Sequence, residues 1–569
     1  MTKPDVTRPE QTHPGQTFPT AAPGQPGRVR LTRPGGWTVA ALIIGAVVVS
    51  PMVAVLWLAL HPTENIWPHL VSTVLPRYLE NTLLLMLGVG ILAAAVGTGA
   101  AWLVTMHRFP GRRWLDYALL FPLANPAYIG AYALVDFLNY SGPVQTGLRL
   151  TMGWQDARDY WFPEIHSLGF AVVVLTAAFY PYVYLLARAA FREQSGASYE
   201  VARSLGVGPV GLFIRVGLPL ARPAIAAGVA LVLMETVADF GTVQHFGVQT
   251  LTTGVFSIWL NDSNAGGAAQ IALVILALIL ALLWIERRGR RHARFHRMAR
   301  ATRPVAPQVL PGARGWLATG LCMIPFTLGF VLPVGVMGAH ALQKPEAWFA
   351  PGLGAAVVNT LFVGGLAALI TVGAALFLIY GLRMTGRTAA RLILPVTALG
   401  YAAPGAVMAV GILIPLAAVD HYLADAVQAA TGHDPGLLLT GTVAALVLAY
   451  AVRFFGIAQS AVDSAFGRVS PSLPMAGRSL GRTSGQTLMA VYLPLMRGSV
   501  STALLVVFVD CVKELPATLL LRPFNFNTLS TRAYDLASLE KIGEAAPAAL
   551  LVIAVSLAAV SLMDRTPQD

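Results

Sequence analysis

Long apolar runs constrain the fold of this chain more than any other feature. The first extends from Trp37 to Leu60, and eleven more follow at approximately 83–105, 115–138, 168–190, 220–240, 268–285, 316–340, 357–380, 392–417, 438–460, 498–520 and 546–563. A helix needs about 20 apolar residues to cross a bilayer, and a backbone in lipid must satisfy its hydrogen bonds within the segment. The pattern therefore predicts an all-α polytopic membrane protein with about 12 transmembrane helices.

The composition agrees with a membrane protein and excludes a soluble globular protein. Hydrophobic residues make up 56% of the chain and charged residues 12%, and the mean hydropathy is +0.65, outside the range of soluble domains. The formal charge of +12 comes mostly from Arg in short loops, which indicates topology and a bilayer rather than a nucleic-acid partner. Cys322 and Cys511 are the only cysteines and lie in apolar runs, so neither a disulfide framework nor a zinc site is expected.

The charge pattern divides the chain into four parts. We predict a disordered cytoplasmic tail at 1–36, a first half at 37–285, a basic cytoplasmic linker at 286–315 and a second half at 316–569. Arg residues concentrate in alternate loops, and the loop between the ninth and tenth runs contains neither Lys nor Arg. By the positive-inside rule, both termini are expected in the cytoplasm.

One polar stretch occurs twice, once in each half. Residues 203–222 match residues 478–497 at nine of twenty positions, with a fixed offset of 275. Such self-similarity indicates a duplicated unit, and six spans in each half give two parallel six-helix repeats. Both copies fall in the loop between the fourth and fifth spans of their half.

The duplicated stretch has the local signals of a short helix followed by a return into the membrane. Gly206 and Gly481 stand where such a helix requires a C-terminal glycine. Leu218-Pro219 and Leu493-Pro494 then open the next apolar helix, where a missing proline N–H costs little.

This stretch resembles the EAA loop of binding-protein-dependent ABC importer permeases, whose fold is the type I importer fold. The resemblance implies that each loop is a coupling helix that docks on a cytoplasmic ATPase subunit. The matching positions are Glu200, Ala202, Gly206, Leu218, Pro219, Ala476, Gly477, Gly481, Leu493 and Pro494. The second copy departs from the pattern, since Met475 and Gly477 replace the Glu and the second Ala. The alternative is that both loops are ordinary basic connections.

The resemblance also implies which partners supply the energy. The sequence contains no GxxxxGK[ST] phosphate loop, so this chain is not expected to be an enzyme or to carry a cofactor. ATP and Mg are expected in a separate ABC ATPase, present as a homodimer. The implied location is the inner membrane of a bacterial cell.

Four acidic residues lie inside apolar runs at matching positions of the two halves. Glu235 and Asp239 correspond to Asp510 and Glu514 at the same offset of 275. Residues four apart share a helix face, and charge within a membrane suggests function. We therefore predict that the four acids line a translocation path, with Asp239 and Glu514 as candidate metal ligands. The alternative is a structural role, with Lys513 paired to Glu514 or Asp510 and with Glu235 capping or bridging helices.

Two segments that adjoin these acids narrow the choice of substrate. Residues 239–247 and 513–526 resemble the iron(III) branch of the importer permeases, which implies ferric iron delivered by an extracytoplasmic iron-binding protein. Thiamine, polyamine and phosphonate importers share this architecture and remain alternatives. A secondary transporter with 12 spans is an alternative of another class, but it gives no reason for two matching polar loops.

Overall fold

The structure, a computed structural model, is helical and describes residues 36–62, 65–292, 305–385, 393–398, 400, 403–470 and 472–565. These residues include ten helices long and apolar enough to cross a membrane. We number them as spans 1, 2, 4, 5, 6, 7, 8, 9, 11 and 12, and they are Gly36–Leu60, Leu75–Met106, Leu168–Arg192, Pro209–Ala238, Ala265–Glu286, Ala313–Gln343, Leu353–Met384, Gly405–Thr431, Ser484–Lys513 and Ile542–Leu562. Residues 1–35 of the predicted tail and residues 293–304 of the predicted linker lie outside the described residues.

Two bent pairs of helices bring the count in the described part of the chain to 12 when each pair is taken as one span, and we number them as spans 3 and 10. Span 3 is Arg112–Ala124 followed by Ala127–Met152 with a bend of 96°, and span 10 is Val443–Arg453 followed by Phe455–Arg468 with a bend of 50°. Span 3 breaks at Asn125-Pro126, where both residues have extended backbone. A residue before proline is disfavoured in the α conformation, so the break follows from the sequence.

The ninth predicted run is interrupted before Gly405, after a short helical stretch at 393–397. The helix of span 9 begins at Gly405 and ends at Thr431, whereas the apolar run indicated 392–417. Pro404 precedes the helix in an extended conformation, and at an offset of 278 it corresponds to Pro126. A hydropathy window cannot see such a break because the residues on both sides are apolar.

Shorter elements connect the spans. The short helices are Trp67–Ser72, Gly196–Ser204, Gly241–His245, Leu251–Leu260, Ser472–Ser479, Pro516–Leu521 and Leu529–Ser538, with a 3-10 helix at Pro345–Phe349. Two short strands, His107–Arg108 and Gln308–Val309, pair in parallel and connect the end of span 2 to the segment before span 7.

Matching hydrogen bonds show that the repeat extends beyond the duplicated loops. Helices Leu251–Leu260 and Leu529–Ser538 each begin with a threonine capping box. The amide of Leu251 donates to Thr82 Oγ1 at 3.1 Å, and the amide of Leu529 donates to Thr360 Oγ1 at 2.8 Å. The two halves therefore repeat the contact between this connecting helix and their second span.

The first span of each half packs into the core of the other half. Ala41, Val48 and Met52 of span 1 lie in a buried cluster with residues of spans 8, 10 and 11. Ala318, Cys322 and Phe326 of span 7 lie in a cluster with residues of spans 2 and 4. The two halves are repeats of sequence, but each core is built from both.

Candidate coupling loops and central cavity

Each duplicated loop begins with a short helix that ends at glycine. The helices are Gly196–Ser204 and Ser472–Ser479, and Gly206 and Gly481 follow with φ of 79° and 81°. The Gly206 amide donates to the Arg203 carbonyl and the Gly481 amide to the Arg478 carbonyl, both at 2.9 Å. A left-handed residue at this point is favourable for glycine, so the predicted helix ends are confirmed.

The two short helices bury equivalent small residues and expose different ones. Ala202 and Gly477 are buried, and the Gly477 backbone lies against Val491 and Thr487. Glu200 is exposed on the first helix, whereas Met475 is 66% exposed in its place on the second. The exposed surfaces of the two loops therefore differ in charge.

Both loops return into the membrane through the same irregular turn. Helices Leu218–Ala238 and Leu493–Lys513 each carry proline at the second position. Five-residue π-helical turns precede them, at Phe213–Gly217 and Leu488–Tyr492. Because proline has no N–H to donate to the preceding turn, a locally widened helix accommodates it.

The predicted acids meet at one central cavity of about 120 Å³. The cavity is lined by the ends of spans 5 and 11 and by the breaks in spans 3 and 10. Its charged lining residues are Glu235, Asp239, Asp510, Glu514, Arg453 and Lys513. The structure thus brings together all four acids, and it adds two cations.

Asp239 and Glu514 occupy equivalent capping positions. Asp239 follows the last residue of its long helix and accepts hydrogen bonds from the Thr242 amide at 3.1 Å, the Val243 amide at 3.1 Å and the Thr242 hydroxyl at 3.0 Å. Glu514 accepts one from the Ala517 amide at 2.9 Å. Each carboxylate therefore satisfies orphan donors of the short helix that follows it.

The two acids that the second half contributes to the cavity both form ion pairs. Arg453 Nη1 lies 3.2 Å from Glu514 Oε1, and Lys513 Nζ lies 3.1 Å from Asp510 Oδ1. Lys513 also donates to the Leu123 carbonyl at 3.2 Å. At the repeat offset of 275, Arg453 stands in place of Ala178, so this arginine belongs to the second half only.

The sequence left two possible partners for Lys513, namely Glu514 and Asp510. The structure pairs Lys513 with Asp510. Within the described part of the chain, no three His, Cys, Asp or Glu side chains are arranged to hold a metal ion. The assignment of Asp239 and Glu514 as metal ligands stays a prediction.

Comparison with known proteins agrees with this architecture. Residues 86–293 match the family of binding-protein-dependent transport system inner membrane components. This segment includes the first duplicated loop and the first pair of acids. Residues 86–293 therefore resemble the permease domain of this family.

Relatives extend the similarity over both halves of the permease. It is 26% identical to the Fe(3+)-transport system permease protein FbpB 2 of Haemophilus influenzae over 496 residues, which cover 86% of this chain and 89% of that protein. It is 23% identical to the ferric transport system permease protein FbpB of Actinobacillus pleuropneumoniae, over 92% of this chain and 76% of that one. The molybdenum transport system permease protein ModB of Escherichia coli is 28% identical over 34% of this chain.

Sequence reasoning missed Arg453, which the permease buries beside Glu514 with its side chain only 10% exposed. The signal was present, because an arginine within the apolar run 438–460 is costly in a membrane and indicates a partner. Tyr128 and Tyr182 also line the cavity, but a tyrosine in an apolar run has many ordinary roles and gives no comparable signal.

Proposed function

We propose that this permease is the membrane-spanning subunit of an ABC importer that carries ferric iron from an extracytoplasmic iron-binding protein into the cytoplasm. A separate ATPase, which binds ATP and Mg, drives the cycle from the face that carries the two coupling loops. Both termini lie on this face, in the cytoplasm of a bacterial cell.

The observation that carries the choice of substrate is the charge of the central cavity. Four carboxylates line it against two cations, so its formal charge is negative when all six groups are ionised. Carboxylate oxygens suit a hard cation such as Fe³⁺. The similarity to ferric permeases over most of the chain supports the same cargo.

The two loops are suited to dock an ATPase dimer. Six spans separate them along the chain, so an even number of crossings places both at one face of the membrane. Each exposes a large apolar side chain after its helix, Leu205 at 77% and Leu480 at 81%. Such exposed apolar residues at equivalent positions fit two sites on a homodimeric partner.

An oxyanion is the second candidate cargo. Arg453 and Lys513 face the same cavity, and the match to the molybdenum permease covers a third of the chain. Both cations are paired with acids, which lowers their availability for an anion. Iron is therefore the better-supported cargo.

Uptake by cells that lack their own iron importer tests the cargo directly. The full-length permease, co-expressed with its ATPase and binding protein, is offered labelled iron, thiamine, spermidine, phosphonate or molybdate at equal concentration. We expect accumulation of iron alone, and no competition from the other four. Accumulation of another compound without iron would overturn the assignment.

Purification separates an importer subunit from a secondary transporter. An ATPase should co-purify with the wild-type chain, and the permease alone in proteoliposomes should transport nothing. Proton-driven transport by the purified chain alone would identify a secondary transporter instead.

A further inference from the structure

A second cavity lies away from the central one, at the membrane-facing side of the molecule. It is a groove of about 450 Å³ between spans 2, 4 and 7, and its lining is almost entirely apolar. Leu92, Gly99, Leu103, Leu321, Ile324 and Leu328 are among its lining residues. The groove follows the joint at which span 7 packs on the core of the first half.

The groove opens toward lipid rather than toward the core. Leu321 and Ile324 line it and are 52% and 56% exposed, and Leu92 on the opposite wall is 41% exposed. All three lie within segments long and apolar enough to cross the membrane. The solvent that reaches this groove is therefore the hydrocarbon of the bilayer.

Arginines lie beyond one end of the groove. On span 7, Arg314, Leu317, Leu321, Ile324 and Leu328 follow at intervals of three and four residues, so they share one helix face. Arg314 precedes Leu321 by seven residues, a rise of about 10 Å along the helix. It is exposed, and it lies on the face of the membrane that carries the coupling loops.

A second arginine lies at the same end. Leu103 of span 2 is five residues before Arg108, which is exposed and belongs to the short strand that ends this span. The Arg108 carbonyl accepts from the Leu310 amide at 2.9 Å, and the Gly315 backbone lies against Leu310 and Pro110. This link holds the arginine-bearing ends of spans 2 and 7 together.

We propose that the groove is a binding site for one anionic phospholipid. An acyl chain lies along the apolar wall between spans 2 and 7, and the phosphate group lies at Arg108 and Arg314. Acyl burial supplies affinity for any phospholipid, whereas the two arginines supply the preference for a negative headgroup. The lipid fills the joint between a span of the second half and the core of the first.

Two glycines provide a matched test of the acyl site. Gly99 lines the groove, and a Cβ placed on it meets no atom within 4 Å. Gly320 on span 7 also has open space at its Cβ and is exposed, but it does not line the groove. Gly99→Phe therefore fills the site without a clash at Cβ, and Gly320→Phe adds the same ring outside it.

Native mass spectrometry of the delipidated permease, titrated with palmitoyl-oleoyl phosphatidylglycerol or phosphatidylcholine, measures the first bound lipid. We expect wild type and Gly320→Phe to bind phosphatidylglycerol first, and at least about tenfold more tightly than phosphatidylcholine. Gly99→Phe should lose this first site. Equal binding by Gly99→Phe and Gly320→Phe would overturn the groove as the site.

A second test, of the headgroup site, does not depend on whether Gly99→Phe folds. Arg108→Gln combined with Arg314→Gln should still bind one phospholipid but lose the preference, so that the two lipids bind within about twofold of each other. A tenfold preference that survives in the double variant would contradict the assignment of the phosphate to these arginines.

Discussion

Two acids of the central cavity, Asp239 and Glu514, combine a structural contact with a charge. Asp239 caps the helix Gly241–His245 through three hydrogen bonds, and Glu514 caps Pro516–Leu521 while it pairs with Arg453. A substitution that removes the carboxylate outright would remove both properties. Only variants that keep the hydrogen-bond acceptor can isolate the charge.

Asp239→Asn is such a variant, because asparagine is as good a helix cap as aspartate. We expect iron uptake to fall at least about tenfold, since the cavity loses one negative charge that a cation would meet. The unfolding midpoint in detergent should stay close to that of wild type. Thr242→Val, which removes one hydrogen bond to Asp239 and keeps the charge, should transport normally; equal losses in both variants would assign Asp239 to structure alone.

The buried pair of Arg453 and Glu514 should dominate stability at the cavity. Arg453→Met leaves a 3% exposed carboxylate without its cation, and such a change costs about 3–5 kcal/mol. Combining it with Glu514→Gln should recover most of this loss, because glutamine still accepts from the Ala517 amide. Thermal unfolding of the purified permease measures both effects.

Arg383→Met is the control for this comparison. Arg383 and Asp463 form an exposed pair at 3.0 Å, and exposed pairs contribute about 0–1 kcal/mol. If Arg453→Met were no more destabilising than Arg383→Met, the buried pair would not hold the cavity together.

At the scale of elements, the two candidate coupling loops share one backbone conformation but expose different side chains. Gly206 and Gly481 have nearly the same φ, so any other residue suffers similar strain of about 1 kcal/mol at either position. Glu200 has no acidic counterpart in the second loop, where Met475 is exposed. A functional difference between the loops would therefore come from contacts with the partner rather than from folding.

Gly206→Asp should uncouple iron uptake from ATP hydrolysis more severely than Gly481→Asp, because only the first loop carries an acid for the ATPase to recognise. The measurement is iron transported per ATP hydrolysed in proteoliposomes. Gly208→Asp is the control, since Gly208 has φ of −71° and begins a short helix that tolerates aspartate. Equal uncoupling by the two loop variants would mean that the acid at position 200 is irrelevant.

Much of the fold and part of the site follow from the sequence, for identifiable reasons. Apolar length and the duplicated loop predict the helical class, the repeat and both left-handed glycines. Apolar length alone does not predict the break before Gly405, although Pro404 disfavours the α conformation at the residue before it. The partner of Glu514 escapes it because Arg453 is 61 residues away in the chain, and sequence spacing carries no information on such a contact.

At the scale of the whole molecule, the exchange of spans 1 and 7 ties the two halves together. Ala41 of span 1 is fully buried among residues of the second half, and Cys322 of span 7 is buried among residues of the first. Burying apolar side chains in a partner stabilises an assembly by about 25 cal/mol per Å². The covalent linker between the halves should therefore be dispensable once they have folded.

Cleavage at a protease site inserted near residue 300 tests this exchange. We expect the two fragments to remain together through affinity purification in mild detergent and to retain iron uptake when reconstituted with the partner subunits. A matched variant with the same cleavage site and Ala41→Trp, which overfills the buried contact of span 1, should separate more readily. Separation of the cleaved, otherwise intact halves would contradict the exchanged packing.

ATP-dependent iron uptake by the permease, reconstituted with its ATPase and iron-loaded binding protein in sealed proteoliposomes, tests the proposed function directly. We predict that radioactive iron accumulates inside only when ATP and all three components are present, and that Asp239→Asn lowers this accumulation at least about tenfold while ATP hydrolysis continues. Iron accumulation without ATP, or undiminished accumulation by Asp239→Asn, would contradict this prediction.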